Sequence, residues 1–368
     1  MMKKSVITLV AAAMLASTAT ASNWWETIRV KGDLRYRHEM IDTEDSAARH
    51  RHRVRARLGI FGDVSERTTV GIQLATGGDN PVSTNQTLDG AFSTKSFGVD
   101  LAYLRTTHER LPGLSLTAGK FKNPFYKPGG SELIWDSDWN PEGGALAYTR
   151  AYSNIDVMLT GSGLWIDERS STDDSWLGAA QGAITYNIEE SEASITIGGG
   201  FYNYVNAEGF VPFYDGSFSG NTVGQKVDGD DTTQVYSTDY ELLEVGGEIS
   251  GKIRDWPVTV MGDFVTNTAA DSLNVGWLVG FKLGAAKKPF DWEVRYCYRE
   301  VEADAVVATF TDSDFRGGGT DARGHEIGGA LALDKNTALK VTWFDNEIGL
   351  GESTRGFNRL QLDIQMKF

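Results

Sequence analysis

The chain ends on Leu360-Gln-Leu-Asp-Ile-Gln-Met-Lys-Phe368, in which apolar and polar residues alternate strictly. Successive side chains of a β-strand point to opposite faces, so this segment predicts a strand with one apolar and one polar face. The apolar face carries Leu360, Leu362, Ile364, Met366 and Phe368. A strand of this kind could belong to any antiparallel sheet, and the beginning of the chain narrows the choice.

The first residues have the three regions of a secretory signal peptide. Lys3 and Lys4 give a positive start, an apolar run follows, and Ala19-Thr20-Ala21 is a small-residue cleavage site. We therefore predict a signal peptide over residues 1–21, cleavage near Ala21, and one mature domain over residues 22–368. The apolar run is too short to span a bilayer as a helix, and no later run approaches the ~18–20 residues required.

Charge and cysteine content exclude several classes of protein. The formal net charge is −15, and loss of Lys3 and Lys4 with the signal lowers it by two. This acidic balance argues against nucleic-acid binding. Cys297 is the single cysteine, so an intramolecular disulfide framework is excluded. Stability must come from elsewhere, as it does in a closed β-barrel in which every strand edge is paired.

Alternation like that of the last strand recurs along the whole mature chain. It predicts sixteen strands, at residues 27–39, 49–62, 68–76, 97–109, 114–122, 144–150, 155–165, 175–186, 193–204, 240–252, 257–267, 275–285, 290–301, 325–333, 337–346 and 358–368. Their lengths are near the ~9–11 residues of a tilted membrane strand.

The connections between these strands are alternately short and long. Short periplasmic turns and long extracellular loops are typical of outer-membrane barrels. We therefore predict an all-β fold, a transmembrane antiparallel β-barrel of about sixteen strands, located in the outer membrane of a Gram-negative cell.

Arginines occupy every second position from 49 to 57 in the second predicted strand. Together with basic residues of one face of the first strand they form a set that we call the basic wall: Arg29, Lys31, Arg35, Arg37, Arg49, Arg51, Arg53, Arg55 and Arg57. Like charges at this spacing repel each other and could not lie in a dry core. A water-filled lumen would screen them or supply carboxylates, so we expect the basic wall to line a pore.

A long connection at residues 123–143 combines acidic and bulky apolar residues. Its carboxylates are Glu132, Asp136, Asp138 and Glu142, and its apolar residues are Leu133, Ile134, Trp135 and Trp139. We expect this loop to fold into the lumen and to present its carboxylates to the basic wall, because patches of opposite charge set ion selectivity in channels. The alternative is a loop that covers the barrel from outside.

Several segments resemble the general and putative porins of Gram-negative outer membranes. Val30-Lys-Gly-Asp-Leu-Arg-Tyr-Arg-His38 is similar to the first strand of that family, and Gly119–Phe125, Glu132–Asp138 and Asn140–Gly143 are similar to its third-loop segment. Gln365-Met-Lys-Phe368 resembles the C-terminal signal that the barrel-insertion machinery reads. The resemblance implies a sixteen-stranded passive diffusion channel, and a homotrimer as in related porins.

These observations predict an outer-membrane porin that passes small hydrophilic solutes or ions and is not an enzyme. Its partners would be outer-membrane lipid, the diffusing solutes, and the insertion machinery through the strand ending at Phe368. No cofactor or metal is expected: Asp136-Ser-Asp138 begins like a calcium loop, but Pro141 and Ala147 stand where that motif needs Gly and Glu. Two alternatives stay open, a plugged barrel acting as a surface receptor or adhesin, and a barrel hydrolase. The sign of ion selectivity is also open.

Overall fold

The computed structural model describes residues 23–189, 191–351 and 353–368. The predicted signal peptide and its cleavage site lie outside these residues. The predicted all-β fold is confirmed: sixteen antiparallel strands close into a barrel. None of the described helices has the length and hydropathy needed to cross a bilayer.

The barrel strands follow one another in chain order, each hydrogen-bonded to the strands before and after it. Their bounds are β1 (Arg29–Thr43), β2 (Arg49–Ser65), β3 (Thr68–Thr76), β5 (Phe97–Thr107), β6 (Leu114–Lys120), β7 (Glu142–Tyr152), β8 (Ile155–Asp167), β9 (Ser175–Ile188), β10 (Ala193–Val205), β13 (Tyr240–Ile253), β14 (Trp256–Asn267), β15 (Val275–Gly284), β16 (Trp292–Val301), β17 (Ala322–Ala332), β18 (Thr337–Ile348) and β19 (Arg355–Lys367).

Three shorter strands lie in the connections. β4 (Gln86–Thr87) pairs with β2 beyond the point where β3 ends, so the connection between β3 and β5 is held against the barrel. β11 (Val223–Asp228) and β12 (Asp231–Tyr236) form a separate hairpin within the connection from β10 to β13. The sequence pattern predicted neither feature.

The barrel closes where the first strand meets the last. Leu34 of β1 lies opposite Ala56 of β2 on one side and opposite Met366 of β19 on the other. Gly32 and Phe368 exchange main-chain hydrogen bonds of 2.9 and 3.0 Å. The terminal strand from which the prediction began therefore removes the free edge of the sheet, which a membrane protein cannot leave unpaired.

The two faces of the strands differ as their alternation predicts. On β1, Val30 and Leu34 are exposed on the outer surface, whereas Asp33, Arg37 and Glu39 are buried inside the barrel. Exposed Trp and Tyr side chains lie near both strand ends, for example Trp256 and Tyr152 beside short turns and Trp165 and Trp176 beside a long loop. Apolar outer faces flanked by aromatic residues are suited to a bilayer with its two polar interfaces.

Long loops and short turns lie on opposite rims of the barrel. Counted along the chain, the eight long loops are residues 44–48, 77–96, 121–141, 168–174, 206–239, 268–274, 302–321 and 349–354, and we call them the first to eighth loops. The start of β1 and the end of β19 both lie on the rim of the turns, because the number of strands is even. The turns at 108–113 and 285–291 are longer than the first loop, and the second of them is as long as the sixth loop, so connection length alone does not separate the rims everywhere.

A bulge in β5 explains why its sequence alternates poorly. The register between β3 and β5 shifts between Gln73 and Leu74, so that Asp100 is an extra residue. Outward side chains therefore have odd residue numbers before the bulge, as at Val99, and even residue numbers after it, as at Leu104. The Asp100 side chain is buried and accepts hydrogen bonds of 2.6 Å from Gln73 Nε2 and from Nδ2 of Asn140 in the third loop. Bulges of this kind often re-aim a side chain toward a functional site.

Candidate functional site

The middle of the basic wall lies on the inner face of β1 and β2, whereas its ends are exposed. Arg29 pairs with Asp63 near the rim of the turns at 2.8 Å, and Lys31 and Arg49 are exposed. Six members lie inside the barrel, and we call them the central arginines: Arg35, Arg37, Arg51, Arg53, Arg55 and Arg57.

The strand register places central arginines directly opposite each other. Arg35 lies opposite Arg55, and Arg37 lies opposite Arg53. Like charges at directly opposite positions destabilise a sheet unless other groups compensate them. The carboxylates that surround the central arginines are therefore part of the same site.

Two carboxylates on the barrel wall accept hydrogen bonds from the central arginines. Asp33 of β1 lies 2.9 Å from Nη2 of Arg55 and 2.6 Å from Nε of Arg57. Asp363 of β19 accepts from Nε and Nη2 of Arg37 at 2.7 and 2.8 Å, which is the two-pronged arrangement that Arg favours with a carboxylate. These pairs fix the direction of three arginine side chains.

A third wall carboxylate and one loop carboxylate connect the central arginines to a further arginine on β19. Glu39, fully buried, is ion-paired with Arg51 and with Arg359 of β19. Asp314 of the seventh loop lies 3.1 Å from Arg37 and 2.7 Å from Arg359. Arg359 was not among the predicted site residues, although it shares the inner face of β19 with Asp363 and could have been found from that alternation.

The third loop lies inside the barrel. Its Leu133 and Trp135 are almost fully buried, and Trp135 stacks on Trp139 with ring centroids 4.2 Å apart. Trp135 also meets Tyr202, an inward side chain of β10, edge to face at 5.3 Å. Burial of a large apolar side chain contributes roughly 1.5–3 kcal/mol, so this cluster holds the loop firmly against the wall.

The seventh loop covers the third loop and is fastened to it by polar contacts. The main-chain N–H of Asp136 donates to the Phe310 carbonyl at 2.9 Å, and Thr311 Oγ1 donates to the Leu133 carbonyl at 2.8 Å. Phe310 in turn stacks on Phe213 of the fifth loop at 6.1 Å. Three loops therefore fill part of the barrel interior together.

The four carboxylates predicted to face the basic wall are placed differently from one another. Asp138 lies 3.5 Å from Nη1 of Arg55 and 3.3 Å from Nη1 of Arg57. Glu132 and Asp136 lie near Asp312 of the seventh loop, and Glu142, at the start of β7, pairs with Lys120 at 2.8 Å. Of the four, Asp138 is the one whose carboxylate contacts the central arginines.

The pKa values of the third-loop carboxyl groups follow these surroundings. Burial, and then the nearby charge of Asp312, raises the pKa of Glu132 to about 7. Burial and the charge of Glu132 raise the pKa of Asp136 in the same way. Burial also acts to raise the pKa of Asp138, but Arg55 and Arg57 outweigh it and hold that pKa below its ordinary value. Asp138 is therefore ionised at neutral pH, beside Arg55 and Arg57.

Oxygens of Glu132, Asp136 and Asp312 lie within 4.8 Å of one another, a spacing that a divalent cation could bridge. Nη2 of Arg299 is 2.9 Å from Asp312 and already supplies a positive charge to this cluster. Protonation of Glu132 would relieve the remaining repulsion, and we assign no metal ion to these residues.

The second loop supplies a further contact that the sequence did not indicate. Asn85 accepts a hydrogen bond from Nη2 of Arg35 at 2.5 Å through its side chain, and one from Nη2 of Arg53 at 3.3 Å through its main chain. In the same loop, Thr84 Oγ1 donates to Asp138 at 3.2 Å. The second and third loops therefore meet at the basic wall.

A closed barrel with an apolar exterior and a charged interior into which a loop folds defines the porin class of outer-membrane proteins. A family model described as putative porin matches residues 40–238 and 231–368. The chain therefore belongs to the putative porin family, and the resemblance read from its sequence is confirmed. It is an outer-membrane channel through which small hydrophilic solutes diffuse passively.

Solved structures of other porins have the same fold. Pseudomonas putida OprB aligns with 96% of this chain and 100% of its own length, at 9% identity and a TM-score of 0.59. Salmonella typhi OmpF aligns with 93% and 97%, at 11% identity and a TM-score of 0.57.

A loop L8 deletion mutant of OmpT, an outer membrane protein of Vibrio cholerae, aligns with 93% of this chain and 100% of its own length, at 12% identity and a TM-score of 0.53. At these identities the likeness concerns the fold. No curated protein sequence matches the chain significantly.

Proposed function

We propose that the diffusion path crosses the barrel along the central arginines and is narrowed where Asp138 of the third loop meets Arg55 and Arg57. Support comes from the position of the third loop inside the barrel and from the ion pairs of Asp138 at 3.5 and 3.3 Å. Solutes would pass beside this contact.

The preferred ions would be anions, because positive charge exceeds negative charge at this point. Around this contact the central six arginines and Arg359 make seven, and they share five carboxylates, which are Asp33, Glu39, Asp138, Asp314 and Asp363. Local charge at the narrowest point governs selectivity more than the acidic total does. This excess of arginine is the observation that carries the proposed selectivity.

Targeting and assembly complete the proposal. The precursor would be cleaved near Ala21, the last strand ending at Phe368 would be read by the barrel-insertion machinery, and the barrels would associate as homotrimers. Chemical cross-linking of the purified protein, read as the mass of the largest species, tests the trimer.

The reversal potential of the protein in a planar bilayer with a salt gradient tests the path and its selectivity. We expect the sign of an anion-preferring channel, and a shift toward cations when Arg53 and Arg55 are both replaced by Ser. The matched control replaces Arg29 and Arg49 with Ser, which removes the same two charges from the exposed ends of the basic wall. An unchanged potential in the double variant would place the path elsewhere, and absence of conductance would favour a plugged barrel that acts as a receptor.

A further inference from the structure

Two central arginines differ from the rest in their partners. Among the described residues, Arg35 has no carboxylate oxygen within 4.0 Å, and Arg53 has only Glu39, at 3.9 Å. Glu39 is already ion-paired with Arg51 and Arg359. The seven arginines counted above carry two more charges than their five carboxylates. These two unmatched positive charges are therefore located on Arg35 and Arg53.

Both side chains also retain unused hydrogen-bond donors. The Nε–H groups of Arg35 and Arg53 are buried and lack any acceptor in the described structure. A buried charged donor without an acceptor is costly, and the usual explanation in a folded protein is a bound water or ion. Arg359 also lacks an acceptor for its Nε–H, but it is ion-paired with Glu39 and Asp314, whereas Arg35 and Arg53 combine an unmet donor with an unmet charge.

The second loop brings these two groups together. Arg35 donates to the side-chain oxygen of Asn85 at 2.5 Å, and Arg53 donates to the main-chain oxygen of the same residue at 3.3 Å. Their strand positions are also adjacent, because Arg37, opposite Arg53, is two residues from Arg35 on β1. Asn85 thus contacts both guanidinium groups without neutralising either.

We propose that Arg35 and Arg53, held by Asn85, form a binding site for a small doubly charged oxoanion, such as phosphate or a short dicarboxylate. A guanidinium group binds two oxygens through parallel N–H donors, which a spherical chloride ion cannot match. Two such groups suit a ligand with several charged oxygens. Lys340, on the inner face of β18 and without an ion pair among the described residues, lies in the same row as Asp363 and Arg37 and adds to the positive field.

This inference deepens the proposed function, since an anion that pauses at Arg35 and Arg53 would occupy the diffusion path. Binding is measured by titration calorimetry on the folded barrel in detergent, with inorganic phosphate and succinate as separate probes against a sodium chloride background. We expect saturable binding of at least one probe at a single site. Phosphate alone, succinate alone, or both would each support the site and would identify the class of ligand.

The variants separate this site from general attraction of anions. Arg35→Gln and Arg53→Gln should each weaken binding at least tenfold, and Arg35→Lys, which keeps the charge but loses the paired donors, should weaken it to an intermediate extent. Arg29→Gln removes the same charge at the rim and should stay within twofold of the unaltered protein. Heat-modifiable migration on gels verifies that each variant forms a closed barrel.

Two results would overturn the site: no saturable binding of either probe, or an equal loss in Arg29→Gln and in the Arg35 and Arg53 variants. Chloride current in planar bilayers, recorded with the same probe added, completes the test. The probe should reduce the current over the range in which it binds. A barrel that binds the probe but never conducts would contradict the proposed diffusion path and leave the site standing, whereas a conducting barrel without binding would remove the site alone.

Discussion

The Asp138 carboxylate lies 3.3 Å from Nη1 of Arg57, although 81 residues separate the two in the chain. Asp138 belongs to the third loop and Arg57 to β2, so this ion pair joins the inward loop to the basic wall. Both side chains are largely shielded from water, at 11% and 17% exposure, so the pair is screened less than one on the protein surface. This ion pair therefore holds the third loop in position and also sets the charge beside the diffusion path.

Replacing Asp138 with Asn should move the reversal potential in a salt gradient further toward anions. The change removes one negative charge from the narrowest point and leaves Arg55 and Arg57 with Asp33 alone as their carboxylate. We expect the loss of the pair to cost on the order of 3 kcal/mol or less in folding stability, because the arginines keep one partner. Thermal unfolding in detergent measures that cost.

Glu142→Gln is the matched control for Asp138→Asn. It removes the same charge from the same stretch of chain, but Glu142 is exposed and pairs with Lys120 away from the central arginines. Equal shifts in the two variants would mean that selectivity follows the total charge, and the contact of Asp138 with the wall would then have no special role.

Deletion of residues 131–140 should raise the single-channel conductance. This segment contains the buried Leu133 and Trp135 and the wall-facing Asp138, so its removal empties part of the barrel interior. A deletion of similar kind in the exposed hairpin β11–β12, over residues 226–233, is the control, because β11 and the start of β12 are exposed. If both deletions give the conductance of the intact protein, the third loop does not limit the current.

The contact between the third and seventh loops should weaken as pH rises. The pKa of Glu132 is raised to about 7, from an ordinary value of 4.5, so the folded state holds a proton that the unfolded chain has released. Stability therefore falls with increasing pH between about 4.5 and 7, and is fully present below that window. Because Glu132 is partly exposed, the effect should be on the order of 1–2 kcal/mol, less than the full shift would give.

Hydrogen exchange of peptides covering 131–140, recorded from pH 5 to pH 8 and corrected for intrinsic rates, measures this weakening. Glu132→Gln cannot titrate, and its loop should show protection that changes little with pH. Glu142→Gln again serves as the control and should keep the pH dependence. The idea fails if the Glu132 variant and the unaltered protein respond to pH in the same way.

The sequence predicted the strands well because strand formation depends on a local period. The alternation of inward and outward side chains along β2 placed Arg51, Arg53, Arg55 and Arg57 on the inner face, where the structure has them. The same alternation on β19 would have added Arg359 to the site. It failed at β5, where the extra residue Asp100 reverses the period within the strand.

The loops could not be predicted in the same way, because their positions depend on contacts between distant residues. Arg37 pairs with Asp314, 277 residues later, and Asn85 meets Arg35, 50 residues earlier. Leu177 and Tyr202 are apolar or aromatic on an inner face expected to be polar, since they pack against the loop cluster instead of water. Their strands β9 and β10 therefore carry apolar side chains on both faces, which weakens the alternation.

The last residue offers a test that separates barrel closure from recognition by the insertion machinery. Phe368 and Gly32 are joined by main-chain hydrogen bonds, and the Phe368 ring covers Gly32, where a Cβ atom would lie 2.5 Å from it. Phe368→Ala keeps the main-chain bonds, so the purified chain should still refold into a heat-modifiable barrel in detergent. In cells the same variant should be depleted from the outer membrane several-fold, as measured by quantifying the protein in membrane fractions.

Phe97→Ala is the control, since Phe97 is a similarly exposed aromatic residue on the outer surface, near the rim of the long loops. It removes the same apolar area but lies far from the C-terminus, so its level in the membrane should be nearly that of the unaltered protein. Gly32→Val gives the opposite pattern, because its side chain would clash with the main chain of Arg57 and with Phe368 and should prevent closure even in detergent. Equal membrane levels of Phe368→Ala and Phe97→Ala would show that the terminal aromatic residue is not read during insertion.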